Sequence, residues 1–144
     1  MNIQQVLNDY KTLFENLTPQ TVEQDFSAVF DQKIYFKDPF NELRGLPDIQ
    51  KLFRHMFATL HEPQFRIHHM AGSDHTGYLE WRFYFKLKPN GETKQINGMS
   101  KILINEQGKV IVHIDYWDSG EYVYRQIPIL GSVIKMIANK LKAK

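Results

Sequence analysis

The 144-residue chain contains no cysteine. That excludes a disulfide framework, a thiol nucleophile and a zinc–thiolate site, and it suits a reducing cytoplasm. A strong charge of either sign is also missing: the formal net charge is +2, and the 18 Lys and Arg are spread through the chain except near its C-terminus. Nothing here forms the basic patch of a nucleic-acid-binding protein, so none is expected as a partner. Long apolar runs are absent as well. The first residues carry no basic region, and the apolar residues that follow are interrupted by Asn8, Asp9 and Lys11. Neither a signal peptide nor a membrane span is expected, and the expected location is the cytoplasm. There is no internal repeat, low-complexity tract or linker. The length suits one domain over residues 1–144, with a core at about 6–118 and a C-terminal extension at 119–144.

What is present is periodicity. Ile3, Val6, Leu7, Tyr10, Leu13, Phe14 and Leu17 recur at intervals of three and four, the stripe of an amphipathic helix. Thr18-Pro19 restarts the chain as a cap and a first helical residue, and Val22, Phe26 and Val29 mark the buried side of a second helix. A strand-like stretch ends at Asp38, and Pro39 to Gly45 reads as a loop. Ile49, Leu52, Phe53, Met56, Phe57 and Leu60 then define a third helix that Pro63 forbids from continuing. From Gln64 the period is two. Phe65, Ile67 and His69 alternate with Arg66, His68 and Met70, and Leu79, Trp81, Phe83 and Phe85 alternate with Glu80, Arg82, Tyr84 and Lys86. Turns at Pro89-Asn90-Gly91 and Asn105-Glu106-Gln107-Gly108 separate these strands from two more, Ile96 to Ile104 and Val110 to Trp117. Helices followed by an antiparallel meander predict an α+β domain with helices on one face of a curved sheet.

Asp38 has two readings on the residues alone. Beside apolar neighbours it suits a general base, and followed by proline it suits the start of a turn whose amides it accepts. Strand period puts His113, Asp115 and Trp117 on one face, an arrangement suited to proton transfer with Asp115 orienting the imidazole. The alternative for His113 is a half-buried strand residue satisfied by one hydrogen bond. His68, His69, Asp74 and His75 have no recognised ligand spacing, and neighbours on a strand face opposite ways, so no metal site is expected.

The order of elements, the segment Phe36-Lys37-Asp38-Pro39-Phe40 with Gly45 behind it, and the run from Gly108 through His113-Ile114-Asp115-Tyr116-Trp117-Asp118 resemble the nuclear transport factor 2-like superfamily. That superfamily includes ketosteroid isomerase, the SnoaL-like polyketide cyclases and limonene epoxide hydrolase. The likeness runs from about Val6 to Asp118. It implies a cystatin-like cone, a curved antiparallel sheet wrapped around N-terminal helices, enclosing one deep apolar pocket. It also implies a homodimer packed through the sheet's outer face. By position it makes Asp38 the general base; the shared strand face adds Asp115 and His113 as assistants. The isomerase's oxyanion donors fall on Phe14, which donates nothing, and on Ser100, a weak neutral donor, with Tyr10 one turn from Phe14. The epoxide hydrolase pattern matches at Asp115, but strand alternation turns Glu80 and Arg82 away from Trp81 and Phe83, so its proton-donating acid is missing. The resemblance implies a pocket lined by Tyr10, Phe14, Phe40, Phe53, Phe57, Trp81, Phe83, Ser100 and Trp117.

The function expected is binding of a small apolar molecule in that pocket with cofactor-free proton transfer of isomerase or cyclase type. The alternative is a non-catalytic ligand-binding or protein-interaction domain of the same fold. The tail adds Leu130, Val133, Ile134, Ile137 and Leu141 on a helical stripe, with Lys135, Lys140, Lys142 and Lys144 around it. This C-terminal amphipathic helix needs a cover. Its own domain or a dimer mate is the expectation; a membrane surface is the sharper alternative.

Overall fold

In a computed structural model, residues 2–123 and 128–142 are described. The chain opens with α1 (Ile3–Glu15), whose first turn is closed by the Asn2 side chain accepting from the Gln4 amide at 2.8 Å. Its stripe from Ile3 to Phe14 is buried. Thr18 caps the next helix by accepting from the Thr21 amide at 3.2 Å, with Pro19 at its start. The expected second helix is two, α2 (Pro19–Gln24) and α3 (Phe26–Val29), because Asp25 ends one and begins the other. Val22 and Phe26 are fully buried all the same.

Strand β1 (Phe30–Lys37) runs to Asp38, where the chain reverses. The segment expected as a loop contains β2 (Glu42–Arg44), paired antiparallel to β1 with Phe36 opposite Leu43. The reversal is local. The Asp38 amide donates to the Asn41 carbonyl at 2.9 Å, and the Asp38 side chain binds the intervening amides. Gly45, at a φ of 95° that favours glycine, leads into α4 (Leu46–Thr59).

The meander follows as β3 (His61–Ser73), β4 (Thr76–Lys86), β5 (Lys94–Ile104) and β6 (Val110–Trp117). The curved six-stranded sheet has the order β2-β1-β6-β5-β4-β3, antiparallel throughout except where β1 meets β6 in parallel. One expected alternation fails in β3. Its register to β4 shifts between Ile67 and His69, so the extra residue reverses the phase and Met70, not His69, follows Phe65 and Ile67 onto the inner face opposite Leu79. Asp118 then caps a single turn, α5 (Ser119–Tyr122), by accepting from the Glu121 amide at 2.9 Å.

Helices α1 and α4 lie in the concavity, and Leu7, Tyr10, Phe26, Phe30, Ile34, Ile49, Ile102 and Val110 form the driest part of the core. Each such side chain contributes about 1.5–3 kcal/mol over its exposed state. The last helix, α6 (Pro128–Leu141), differs: Val133, Met136, Ile137 and Leu141 are exposed, so the described part of its stripe is not covered by this chain. The side chains of Leu130 and Ile134, and all of Lys144, lie outside the described residues. Among the described residues, no helix is long and apolar enough to cross a membrane.

One close approach shapes the inner face. Gly98 on β5 lies opposite Trp81 on β4, and the indole occupies the space above it; a Cβ there would meet Trp81 Cζ2 at 2.5 Å. Gly98→Ala should therefore tilt the indole into the concavity and lower stability by about 1–3 kcal/mol in urea denaturation. The same variant should change the tryptophan emission, and wild-type values for both would show that the indole is not confined by this glycine.

Candidate functional site

The inner row of the sheet is set by register. Asp115 on β6 faces Ser100 on β5, with His113 beside Ile102 and Trp117 beside Gly98. Across the next strand pair Ser100 faces Leu79 and Gly98 faces Trp81. Of these, Trp81, Asp115 and Trp117, with Phe36 of β1 and the C-terminal half of α4, border a cavity of about 270 Å³. Phe53, Trp81, Phe83 and Trp117 line it, and Asp38 and Asp115 both border it. A narrower recess of about 30 Å³ shares Phe53, Phe65, Trp81 and Asp115 with this cavity and ends at Tyr10, Phe14, Ser100 and His113.

Two residues expected in the wall are elsewhere. Phe57 packs half-buried against the core, and Phe40 is half exposed, edge-on to Trp117 with ring centroids 5.5 Å apart. Their places are taken by Phe36, Leu52, Met56, Leu60, Phe65 and Ile96. The helical stripe of α4 had marked Leu52, Met56 and Leu60 as inward-facing. What periodicity does not reveal is where an inward face meets space instead of another side chain.

A continuous hydrogen-bonded chain crosses this wall. Trp81 Nε1 donates to Ser100 Oγ at 2.8 Å, and Ser100 Oγ donates to Asp115 Oδ1 at 2.5 Å. His113 Nε2 lies 2.6 Å from the same Oδ1, and His113 Nδ1 lies 2.5 Å from the Tyr10 hydroxyl. A carboxylate only accepts, so in the neutral imidazole the proton sits on Nε2, Nδ1 is the acceptor and Tyr10 is the donor. The Tyr10 phenol suits that role: complete burial, and after it the Asp115 charge, hold its pKa well above 10.0. His113 is also stacked on Phe36 at 5.0 Å between ring centroids. Oδ1 of Asp115 is thus held from two sides, whereas Oδ2 has no hydrogen-bond partner among the described residues. The joint role of Tyr10 was not legible, because its spacing on α1 says only that it faces inward.

Asp38 fits the turn reading. Its Oδ1 accepts from the Phe40 amide at 2.8 Å, the Asn41 amide at 2.7 Å and Asn41 Nδ2 at 3.1 Å, and its Oδ2 accepts from Asn41 Nδ2 at 3.2 Å. It is a turn residue that also borders the cavity. Glu80 and Arg82 are exposed on the opposite side of β4. His75 meets Glu106 at 3.4 Å, and among the described residues no three His, Asp or Glu side chains converge as a metal site would require.

The family model for the SnoaL-like domain matches residues 10–113. The chain belongs to this family. Solved structures similar to this SnoaL-like domain include a proposed polyketide cyclase from Xanthomonas campestris pv. campestris, at 13% identity and a TM-score of 0.70, covering 83% of this chain and 93% of that one. An LEH-like epoxide hydrolase from M. tuberculosis is similar at 16% identity and a TM-score of 0.65, covering 97% of this chain and 93% of that one. A hypothetical protein from Catenulispora acidiphila with a ketosteroid isomerase-like fold, in complex with trimethylamine, is similar at 9% identity and a TM-score of 0.68, with 82% and 88% covered. At these identities the likeness establishes the fold. No curated protein matches the chain.

In this SnoaL-like domain, Tyr10→Phe should leave His113 Nδ1 unpaired in a buried setting and cost about 1–3 kcal/mol near neutral pH. It should also change the alkaline limb. The raised pKa means that the unfolded chain releases the Tyr10 proton first, so wild-type stability falls as pH climbs past 10.0. The phenylalanine variant should lose less stability than wild type over that range in urea melts; parallel losses would separate Tyr10 from the alkaline transition.

Proposed function

We propose that this SnoaL-like domain binds a small, mostly apolar molecule in the cavity and accepts a proton from it, with Asp115 as the base. The observation that carries the reading is Asp115 itself: one carboxylate oxygen is held by Ser100 and His113, and the other has no hydrogen-bond partner among the described residues, beside an apolar cavity. A general base needs reach and orientation before any tuning of acidity. The two bonds to Oδ1 supply the orientation, and the cavity border supplies the reach.

This reverses the ranking suggested by family position, in which Asp38 is the base. Both oxygens of Asp38 are engaged within its own turn, so Asp38 serves as the second carboxylate of the site. His113 and Tyr10 act through Asp115 as positioning residues. The chemistry calls for no metal or organic cofactor, since a carboxylate and a bound acidic C–H suffice for proton transfer.

A second reading, a binding module without turnover, is favoured by a specific observation. The hydroxyl hydrogens of Ser100 and Tyr10 are committed to Asp115 and His113, so neither is free to meet a developing oxyanion. One such donor is typically worth a hundredfold to a thousandfold in rate.

The outer face of the sheet presents exposed Tyr78, Met99 and Tyr116, which supports self-association into a homodimer through that surface. The cysteine-free composition supports a cytoplasmic location.

Deuterium exchange at the α-carbons of small aryl ketones, 2-tetralone among them, followed by proton NMR, tests the proton transfer. Exchange above the buffer rate is expected, with Asp115→Asn lowering it about a hundredfold or more and Asp38→Asn lowering it less. Undiminished exchange in Asp115→Asn would remove that residue as base. Ketone binding with exchange only at the buffer rate would establish the non-catalytic reading.

A further inference from the structure

Among the described residues, the cavity is lined by two carboxylates and by few free hydrogen-bond donors. The Trp81 indole N–H is spent on Ser100, the Ser100 hydroxyl on Asp115, the Tyr10 hydroxyl on His113, and the Thr59 hydroxyl on the His55 carbonyl at 2.8 Å. Among the described lining residues, the Trp117 indole and the exposed ring of His55 keep uncommitted N–H capacity. Among the described residues, no lysine or arginine lines the cavity. Lys37 borders the adjoining surface depression together with Asp38 and Asp115, on the outer row of β1, and forms no ion pair with either carboxylate.

The rest of the wall points the same way. Phe36, Phe53, Phe65, Trp81, Phe83 and Trp117 surround the space. Aromatic faces are negative at their centres and attract positive charge, most strongly where water is excluded. Two carboxylates set among such faces oppose an anion, and a neutral carbonyl would meet few donors. The charge pattern is complementary to a cation.

We infer that the cavity takes a small organic cation, an amine or quaternary ammonium carried on an apolar body. The inference rests on the reading of this cavity as the binding site and names the ligand class for it. Such a ligand brings its own positive charge next to the reacting carbon, which offsets the scarcity of protein donors for a developing oxyanion.

The two tryptophans of the chain, Trp81 and Trp117, both line the cavity, so their indole N–H resonances report its occupancy. The full chain is titrated with three probes of similar shape: phenyltrimethylammonium, its uncharged counterpart tert-butylbenzene, and benzenesulfonate. The cation should bind about tenfold or more tightly than tert-butylbenzene, as a desolvated cation–π contact and a carboxylate together warrant. Benzenesulfonate should bind more weakly than either. Asp38→Asn, which keeps an oxygen for its turn, and Asp115→Asn should each weaken the cation several-fold and leave tert-butylbenzene unchanged. If Asp115→Asn fails to fold, Asp38→Asn decides. Equal or tighter binding of tert-butylbenzene would overturn the cation preference while the pocket reading stands. Cation binding indifferent to the carboxylate variants would overturn the charge complementarity. No indole shift with any probe would overturn the pocket reading and this inference together.

Discussion

The Asp115 carboxylate sits on the inner face of the sheet, and its burial among aromatic side chains is tolerable only because Ser100 and His113 both donate to one of its oxygens. That requirement propagates outward. Ser100 must be opposite Asp115 on β5, and His113 must be two residues back on β6. His113 in turn needs a donor for its second nitrogen, which comes from Tyr10 on α1, the packed helix, rather than from the sheet. One carboxylate thus joins a helix and three strands through hydrogen bonds whose members are nearly all buried. A network of this kind is favourable only when every member is satisfied, which makes the relative placement of α1 and the sheet a condition of the site.

The same constraint explains the asymmetry of the two acidic residues. Asp38 lies where the chain leaves β1 and reverses into β2, and its oxygens are needed by the turn that makes the reversal. Asp115 lies within a strand whose backbone bonds are already made by its neighbours, so its side chain is free of local duties. A carboxylate in a turn stabilises the fold first and meets the cavity second. A carboxylate in mid-strand, held through one oxygen, presents the other.

The cavity exists because the inner face is not filled. Gly98 gives the Trp81 indole room to lie across β5 and donate to Ser100, and the bulge in β3 brings Met70 to the inner face and leaves His69 on the outer one. On α4, Leu52 and Met56 pack half-buried against the core and also border that open space. Helix α6 lies outside this economy, with its described apolar residues exposed beyond the domain's core.

Periodicity and turn chemistry carried the element order, the antiparallel meander and the inward set of residues, because solvent exposure imposes a period of 3.6 on helices and two on strands irrespective of what lies inside. The Asp38 turn was legible for the same local reason, and so was the shared face of His113, Asp115 and Trp117. The sequence by itself therefore determined which side chains face inward wherever the period runs unbroken. It did not determine which inward residues touch: β2 needed pairing with β1, the phase of β3 needed a bulge measured against β4, and Phe40 and Phe57 needed to be placed outside the cavity wall. Those outcomes depend on contacts between residues distant in the chain, such as Tyr10 with His113, and no local pattern encodes a distance between two elements until they pack. The tertiary structure alone decided that Ser100 and His113 both turn toward Asp115.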